Sequence, residues 1–386
     1  MQGYDRTVVR FVLIDDSMKR LVFIRHAGLA GIAIHTQSFS TAVAALLQDS
    51  RSVQFEVWDA DSPSELKRKL VSAQLTDQDI LVLFTGLNVF QVIGKLPCYT
   101  IVFTVWESTT LPDSWIGCAP LADEVWIPSR WGKDILVQNG IQEKKIFVVP
   151  EGVDTVLFSP EKRKIGFLET IDSFKFLNIA KAEPRKGTVD LLRAFDLAFD
   201  PDDEVHLILS CTNLLIPNFS SHKFVQNLGL KNRDKVILIQ LDTDHQQVAR
   251  LYCSCDAFVF PTHAEGWGLP VLEAMASGLP TAVTHFSAIT EFANTTNSLG
   301  IRYQVGSLGR GDLMRFDRSD GDYGEWAIPD IEKLADTMRY MFENQAACRQ
   351  MGKRACIDAR KWTWRNAAEI ALQRIHHIYD DLNNSV

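Results

Sequence analysis

The sequence predicts an α/β protein of two lobes, each built around a parallel β-sheet. Short apolar runs of strand length alternate with stretches of helical period, a pattern typical of parallel strands joined by crossover helices. A chain of 386 residues is also too long for one ordinary hydrophobic core. In the middle, Val149–Lys164 combines proline, glycine and charge without periodicity, which indicates a connection between lobes.

The first lobe is expected over residues 1–155. Its predicted strands are the short apolar runs Val8–Ile14, Leu21–Ile24, Gln54–Val57, Ile80–Phe84, Tyr99–Thr104, Glu124–Ile127 and Ile146–Val149. Its predicted helices are Ser40–Gln48, Pro63–Gln74 and Arg130–Asn139. Ligands of open α/β sheets bind beyond the carboxyl ends of the strands, so the loops that follow the strands are the places to look for a site.

The second lobe is expected over residues 156–361, followed by a last helical segment over residues 362–386. The predicted strands here are Lys175–Ala180, Val205–Ser210, Lys235–Gln240, Ala257–Pro261 and Thr281–Thr284. The predicted helices are Thr188–Ala198, Val248–Cys253, Pro270–Ser277, Ile331–Asn344 and Ala346–Arg360. Two such lobes leave a cleft between them, and the loops of both lobes can face it.

Composition and charge narrow the class of protein. The hydrophobic fraction is 46% and the charged fraction 23%, as in soluble globular enzymes. The formal net charge of −8 argues against a surface that binds nucleic acid. Cys253 and Cys255 form the one close pair among seven cysteines, and no second pair lies at a zinc-like distance, so they are expected to be small apolar residues.

The sequence favours a cytoplasmic location. Seven cysteines without regular spacing do not form a disulfide framework. The opening residues Met1–Arg6 lack the basic and apolar regions of a signal peptide. No apolar run approaches the roughly 20 residues that a membrane helix needs. A peripheral contact with a membrane surface stays open.

The loop with the most chemistry follows the predicted strand Ala257–Pro261. It reads Thr-His-Ala-Glu-Gly-Trp-Gly-Leu-Pro from Thr262 to Pro270. Proline suits the first position of a helix, and Gly278 suits the residue just after its end. Gly266–Leu269 should therefore present free backbone amides at a helix N-terminus, where the helix dipole favours an anion and glycines allow a ligand to approach closely.

Two carboxylates flank this predicted cradle. Glu265 stands at its mouth, where it can accept hydrogen bonds from hydroxyl groups or stabilise positive charge. Glu273 lies one turn into the helix, where it could bind two adjacent hydroxyls of a ribose. Each acid also has a plain interpretation: Glu265 as a solvated loop acid, and Glu273 as a first-turn acid worth about 0.3–1 kcal/mol to the helix. The pair around a glycine-rich helix start favours the functional interpretation.

A basic turn follows the predicted strand Lys175–Ala180. Arg185, Lys186 and Gly187 stand between this strand and the helix predicted from Thr188. Arginine can bind two phosphate oxygens with its planar fork, while lysine acts as a point charge. The turn therefore suits a diphosphate, and taken alone it would be an ordinary solvated turn.

Several motifs, in the same order, resemble those of glycosyltransferase family 4. Glu265 and Glu273, with seven residues between them, resemble the Glu-x7-Glu motif of that family. Arg185–Gly187 is similar to its Arg-Lys-Gly turn, and Val149–Asp154 to its Pro-x-Gly-Val-Asp signature between lobes. Glu291 stands where the family has a further acid. The resemblance extends from about Trp126 to the C-terminus.

The resemblance implies a GT-B fold of two Rossmann-like lobes, a C-terminal helix that crosses back to the first lobe, and retaining hexosyl transfer without a metal or other cofactor. The donor is a nucleoside-diphosphate sugar, with UDP-glucose favoured over GDP-mannose, and a glycan, a lipid-linked sugar or a small molecule accepts the sugar. Glu265 is the expected catalytic residue, Arg185 and Lys186 hold the diphosphate, and Glu273 binds the ribose. The implied donor-binding residues are Arg185, Lys186, Glu265, Gly266, Trp267, Gly268, Leu269 and Glu273.

The first lobe should bind the acceptor, and its motifs match the family less closely. Gly28 and Gly31 could belong to the glycine loop of the family, although an ordinary turn fits them equally well. Gly86 and Glu107 follow predicted strands and are further candidates for acceptor or first-lobe contacts. Where relatives often carry a histidine before the acid, Trp106 precedes Glu107.

Other classes of function remain as alternatives. The altered position 106 keeps open a GT-B protein that binds a nucleotide or a glycan without turnover. Asp59–Asp61 and Asp242–Asp244 have the Asp-x-Asp spacing of metal-dependent glycosyltransferases, but each is more simply a polar turn. Asp317–Asp322 lacks the ligand positions of a calcium loop. No metal site is therefore expected.

Overall fold

The computed structural model describes residues 19–25, 30–50, 52–60, 62–213, 216, 218–241, 244–307 and 317–384. Within these ranges the chain forms two six-stranded sheets with flanking helices and one two-stranded hairpin. The predicted α/β fold with two lobes is confirmed. The strand predicted at Val8–Ile14 and the candidate residue Gly28 lie outside the described residues.

The first lobe is a parallel sheet with the strand order β2-β1-β3-β4-β5-β6. Its strands are β1 (Lys19–Arg25), β2 (Val53–Asp59), β3 (Ile80–Phe84), β4 (Tyr99–Phe103), β5 (Glu124–Ile127) and β6 (Ile146–Val148). Its helices are α1 (Ala30–Leu47), α2 (Pro63–Ser72), α3 (Phe90–Ile93), α4 (Asp113–Cys118) and α5 (Arg130–Gln138). Every residue of β3 is buried, as expected for a central strand covered on both faces.

The second lobe repeats this design with the strand order β12-β11-β10-β7-β8-β9. Its strands are β7 (Phe174–Lys181), β8 (Val205–Thr212), β9 (Val236–Leu238), β10 (Ala257–Phe260), β11 (Thr281–Thr284) and β12 (Leu299–Ile301), and β13 (Tyr303–Ser307) and β14 (Glu325–Pro329) form an antiparallel hairpin beside them. The helices that follow in chain order are α6 (Gly166–Glu169), α7 (Thr188–Ala198), α8 (Ser221–Gln226), α9 (His245–Cys253), α10 (Leu269–Ala276), α11 (Ile331–Glu343), α12 (Gln345–Ala359) and α13 (Trp364–Asn384).

The two lobes are joined where the chain crosses between them twice. The backbone amide of Val153 donates to the carbonyl of Trp362 at 2.8 Å, so the two crossings lie side by side. A Cβ atom at Gly152 would lie 2.2 Å from the amide nitrogen of Trp364, a spacing that only glycine permits. Helix α13 then packs its apolar face on the core of the first lobe, against α1 and β1.

Some predicted boundaries are wrong. The helix predicted at Ser40–Gln48 begins instead at Ala30, because buried residues continue at helical spacing from His35 to Val43. The strand predicted at Lys235–Gln240 is limited to Val236–Leu238. Helix α10 begins at Leu269, so proline occupies its second position rather than its first. The hairpin of β13 and β14 was not predicted, since short strands of mixed polarity carry a weak signal.

Candidate functional site

The turn between β7 and α7 holds the two predicted cations. Pro184–Lys186 forms a single 3₁₀ turn, and Gly187 ends it with a φ of +64°. A Cβ atom at Gly187 would lie 1.9 Å from the carbonyl oxygen of Pro261, so this close approach requires glycine. The turn therefore places Arg185 and Lys186 against the end of β10, the strand that leads into the acidic loop.

Glu265 is held by two cations and two hydroxyl groups. Lys186 Nζ lies 2.7 and 2.9 Å from its carboxylate oxygens, and Arg185 Nη1 lies 3.2 Å from Oε1. Thr262 Oγ1 donates to Oε1 at 2.8 Å, and the backbone amide of Glu265 donates to Ser287 Oγ at 2.8 Å. Only 5% of Glu265 is exposed, so it is not a solvated loop acid.

The charges of this cluster depend on one another. Burial alone would raise the pKa of Glu265, but Lys186 and Arg185 hold that pKa below its usual value. Burial and the nearby Arg185 lower the pKa of Lys186, while Glu265 acts in the opposite direction. Burial disfavours the charged guanidinium of Arg185, yet Glu107 and Glu265 raise its pKa above the ordinary value. The carboxylate of Glu265 and the guanidinium of Arg185 are therefore both charged at neutral pH.

The loop after Glu265 opens the N-terminus of α10. Gly268 has a φ of +106°, which favours glycine, and the helix begins at the next residue, Leu269. Within the described ranges, nothing accepts a hydrogen bond from the backbone amides of Gly266, Trp267 or Gly268. A helix start with open amides is suited to bind an anion or a hydroxyl group.

The side chain of Trp267 takes no part in this cradle. It is 2% exposed, and its ring packs against Phe292 and Trp362, with centroids 5.2 and 5.3 Å away. The indole is thus an anchor of the second-lobe core. A donor contact from Trp267 would therefore come from its backbone amide, the group for which the contact is predicted.

Glu273 lies deeper in α10 than a first-turn acid would, and it is paired with a tyrosine. The hydroxyl oxygen of Tyr252 lies 3.0 Å from Glu273 Oε2 and 3.0 Å from the carbonyl oxygen of Pro270. Burial raises the pKa of Glu273 to about 8, against the lowering effect of the hydrogen bond from Tyr252. This acid is therefore mostly protonated at neutral pH, and the dipole interpretation does not apply.

The first lobe reaches the cation pair through the Glu107 loop, the segment Thr104–Thr110 that follows β4. Glu107 Oε1 lies 3.3 Å from Arg185 Nη2, an ion pair across the cleft. Trp106 turns away from this contact: its ring packs on Trp115 at 4.8 Å, and its Nε1 donates to the carbonyl of Thr110 at 2.9 Å. The acid of the family pattern faces the donor side, and the residue in the place of its histidine does not.

The other candidate residues of the first lobe lie where packing and secondary structure account for them. Gly86 precedes a 3₁₀ turn, and a Cβ atom there would lie 2.7 Å from the ring of Trp115, so packing requires this glycine. Gly31 lies in the first turn of α1, and residues 26–29 before it lie outside the described ranges, so the glycine loop at Gly28 and Gly31 stays a prediction. Among the described histidines, His35 is buried and paired with Glu151 at 3.2 Å, at the junction of the lobes.

The hairpin of β13 and β14 fastens the Glu107 loop to the second lobe. Trp326 Nε1 donates to the carbonyl oxygen of Glu107 at 2.6 Å, and Ser108 Oγ donates to the carbonyl of Tyr323 at 2.8 Å. The ring of Trp326 also meets the ring of His263 edge to face, 5.7 Å between centroids. The hairpin therefore touches the loops that carry Glu107 and the catalytic candidate at the same time.

A second cross-cleft contact lies beside the cradle. The backbone amide of Arg130, the first residue of α5, donates to Glu291 Oε1 at 2.6 Å, and its Nε lies 3.4 Å from Oε2. A carboxylate at a helix N-terminus is stabilised by the helix dipole. Glu291, where the family has a further acid, thus bonds to the first lobe.

Sequence reasoning did not find four residues of this site. Thr262 and Ser287 bind the side chain and the amide of Glu265, Tyr252 binds Glu273, and Trp326 holds the Glu107 loop. Thr262 stands three residues before the acid and could have been considered. The other three reach the site only through folding, and the φ of +58° at Ser287 has no sequence signal.

Comparison with protein families gives a match within the second lobe. Residues 161–300 match the family model described as glycosyl transferases group 1. One similar relative is the MMP α-(1→4)-mannosyltransferase of Mycolicibacterium hassiacum, 30% identical over 167 residues, which are 43% of this chain and 37% of that protein. Another is the D-inositol 3-phosphate glycosyltransferase of Paenarthrobacter aurescens, 23% identical over 62% of this chain and 53% of that protein. The chain thus spans between about a third and about half of the length of these relatives.

Solved structures share the fold over nearly the whole chain. Anabaena HepE in complex with UDP and glucose aligns with a TM-score of 0.67 at 14% identity, over 93% of this chain and all of that one. Sucrose-phosphate synthase from Thermosynechococcus elongatus aligns with a TM-score of 0.69 at 14% identity, over 95% of this chain and all of that one. In the part of the chain that the structure describes, no helix is long and apolar enough to cross a membrane. Residues 161–300 are therefore similar to the group 1 glycosyl transferases, and the chain has the two-lobed GT-B fold that these solved structures share.

Proposed function

We propose that this protein is a glycosyltransferase that moves a hexose from a nucleoside-diphosphate sugar to an acceptor bound by the first lobe. The observation that carries the proposal is the buried carboxylate of Glu265 between Arg185 and Lys186, directly before the open amides of Gly266–Gly268. This arrangement combines positive charge for a diphosphate with a carboxylate for the reacting sugar. The match of residues 161–300 to glycosyl transferases group 1 supports the reaction class.

Each group has a role in that reaction. Breaking the bond between sugar and diphosphate leaves negative charge on the phosphate and positive charge on the sugar ring. Arg185 and Lys186 bind the diphosphate and stabilise the departing charge, and the amides of Gly266–Leu269 bind phosphate and sugar oxygens. Glu265 lies against the sugar near the reacting carbon, and Glu273 accepts hydrogen bonds from the ribose hydroxyls.

We place the protein in glycosyltransferase family 4, with retention of the anomeric configuration and without a metal. The Glu-x7-Glu spacing of Glu265 and Glu273 and the Arg-Lys-Gly turn support this assignment. In metal-dependent enzymes a divalent cation neutralises the diphosphate, and here Arg185 and Lys186 supply two positive charges at the same place. Treatment with a chelator should therefore leave transfer within about twofold of its untreated rate, a difference near the noise of an assay.

UDP-glucose is the donor we favour. The solved structure of Anabaena HepE with UDP-glucose has this fold and supports a UDP-sugar. The names of the relatives from Mycolicibacterium hassiacum and Escherichia coli include mannosyltransferases, so GDP-mannose is the main rival donor. A glycan, a lipid-linked sugar or a small molecule is the acceptor. The acceptor would meet the first-lobe surface that carries Gly31, Gly86 and Glu107. The setting we propose is the biosynthesis of a polysaccharide or glycoconjugate in the cytoplasm.

A donor screen tests the function. UDP-, GDP- and ADP-sugars are incubated with the protein and the release of the nucleoside diphosphate is measured, followed by NMR of the transferred sugar to determine its anomeric configuration. Release from UDP-glucose with an α-linked product is the expected result. Binding of UDP without release from any donor would favour the second candidate, a GT-B protein that binds without turnover. The orientation of Trp106 is the observation that keeps this candidate, since position 106 carries an indole instead of an imidazole.

A further inference from the structure

The second lobe contributes more positive than negative charge to the candidate diphosphate site. Lys181, Arg185 and Lys186 are cations, and Glu183 and Glu265 are their carboxylate partners. Lys181 Nζ lies 3.8 Å from Glu183, and Arg185 Nη2 lies 3.9 Å from the same carboxylate. Three cations against two carboxylates leave one positive charge, which suits a bound anion.

Glu107 removes this excess from across the cleft. Its carboxylate lies 3.3 Å from Arg185 Nη2, so the six groups together are electrically neutral. Both terminal nitrogens of the Arg185 guanidinium then have partners: Nη1 donates to the carbonyl of Ala264 at 2.7 Å and faces Glu265, while Nη2 faces Glu107. A carboxylate and a phosphate bind to guanidinium in the same planar geometry, so both compete for the same edge.

The geometry points to Glu107 as an anion that occupies the diphosphate position on Arg185 and is displaced when the donor binds. This inference rests on the proposed function and adds a determinant of donor affinity to it. A diphosphate that enters a neutral cluster gains less than one that enters a positive cluster. The donor therefore has to exchange with Glu107 before it can bind to Arg185.

The exchange requires the side chain of Glu107 to move and not the lobes. The lobe that carries Arg185 holds the Glu107 loop at two points: Trp326 Nε1 donates to the carbonyl of Glu107 at 2.6 Å, and the Ser108 hydroxyl donates to the carbonyl of Tyr323 at 2.8 Å. The side chain itself is 24% exposed, so it has room to rotate toward solvent. Repulsion by the diphosphate drives the carboxylate away while the loop stays in place.

Removing this charge should strengthen anion binding, the opposite of what loss of a substrate contact would do. The dissociation constants of UDP and of inorganic pyrophosphate are measured by calorimetry for the wild type, for Glu107→Gln and for Glu107→Asp. Glu107→Gln should bind both anions about fivefold more tightly, the size expected for loss of one partly exposed ion pair. Glu107→Asp keeps the charge on a shorter side chain and should fall between the two.

Asp113→Asn is the matched control. Asp113 also bonds across the cleft, with Arg318 at 3.3 Å and the amide of Ser319 at 2.7 Å, but it touches none of the three cations. Its substitution should leave both dissociation constants unchanged. If Asp113→Asn tightened binding as much as Glu107→Gln did, looser contact between the lobes would explain the effect and the inference would be wrong.

Pyrophosphate separates this inference from the proposed function. Equal or weaker binding of pyrophosphate by Glu107→Gln overturns the role of Glu107, whatever the nucleotide does. Tighter pyrophosphate binding without any binding of UDP, GDP or ADP supports that role and contradicts the proposed nucleotide-sugar donor. Should Glu107→Gln fail to fold, Glu107→Asp must still bind more tightly than the wild type, and an unchanged value counts against the inference.

Discussion

The two faces of the cleft differ in how their residues are held. On the second-lobe face, Arg185, Lys186 and Glu265 stand on short loops whose shape follows from glycines within a few residues. On the first-lobe face, Glu107 is held by Trp326, more than two hundred positions away in the chain. A site built from local turns is visible in the sequence, and a site built from distant partners is not. The difference also predicts which substitutions act directly on donor binding or sugar transfer and which act only on the position of the residues around the donor.

The largest effect is expected for Glu265→Gln. The amide keeps the volume but removes the negative charge that we place near the positive sugar ring, so turnover should fall by about 10²–10³-fold. Release of UDP from UDP-glucose measures this, with UDP affinity as a second readout. Glu124→Gln is the matched control, because Glu124 is also buried and paired with an arginine, Arg374, far from the cleft. Turnover that survives in Glu265→Gln, or falls equally in Glu124→Gln, would contradict the catalytic assignment.

Arg185→Ala should act on binding more than on any other step. Loss of the guanidinium removes charge-assisted hydrogen bonds to the diphosphate and should weaken UDP binding by about 10–100-fold. Calorimetry measures the affinity, and Arg339→Ala provides the comparison, since Arg339 pairs with Asp203 on the outer side of the second lobe. An unchanged affinity for UDP would remove Arg185 from the donor site.

Much of the second-lobe face could be predicted from the sequence. The order of strand, basic turn, glycine and helix fixes the position of Arg185, and the turn at Gly187 has the positive φ that the glycine suggests. The pattern around Glu265 likewise predicts an acid at a helix start. Its burial and its bonds to Lys186 and Thr262 could not be predicted, because they depend on where β7 and β10 lie in the sheet.

The first-lobe face could be predicted only in part. The position of Glu107 after a strand identifies it as a cleft residue, but its partner Arg185 belongs to the other lobe. Trp106 offers no sign in the sequence of whether its ring faces the cleft or the core. The early start of α1 was missed because Thr and aromatic residues hide its helical period. In each case the missing information lies in contacts between segments that are distant in sequence.

Trp326→Phe tests whether the hairpin positions the first-lobe face. Phenylalanine keeps the aromatic packing and removes the hydrogen bond to the carbonyl of Glu107, a change worth about 1 kcal/mol for a neutral bond. Turnover should fall about fivefold while UDP affinity stays within about twofold. Trp58→Phe also removes a hydrogen bond from an indole, here to the carboxylate of Glu56 on β2, and should alter neither value. Equal losses in kcat for both variants would indicate a general loss of stability instead of a positioning role.

The smallest effect is expected for the pH dependence of UDP binding through Glu273, which is mostly protonated at neutral pH. Burial raises the pKa of Glu273 to about 8, so its ionised fraction grows from about a tenth at pH 7 to about nine tenths at pH 9. Ribose hydroxyls donate to the ionised form, and UDP affinity should therefore rise about threefold over this interval. Lys186 also responds to pH: burial lowers its pKa, and its loss of charge at high pH should weaken UDP binding. Glu273→Gln cannot ionise but keeps Lys186. The difference between the pH profiles of wild type and variant therefore measures the effect of Glu273 alone. Identical pH profiles for wild type and variant would show that Glu273 does not meet the ribose, and the comparison of the two faces would then depend on Arg185, Lys186 and Glu265 alone.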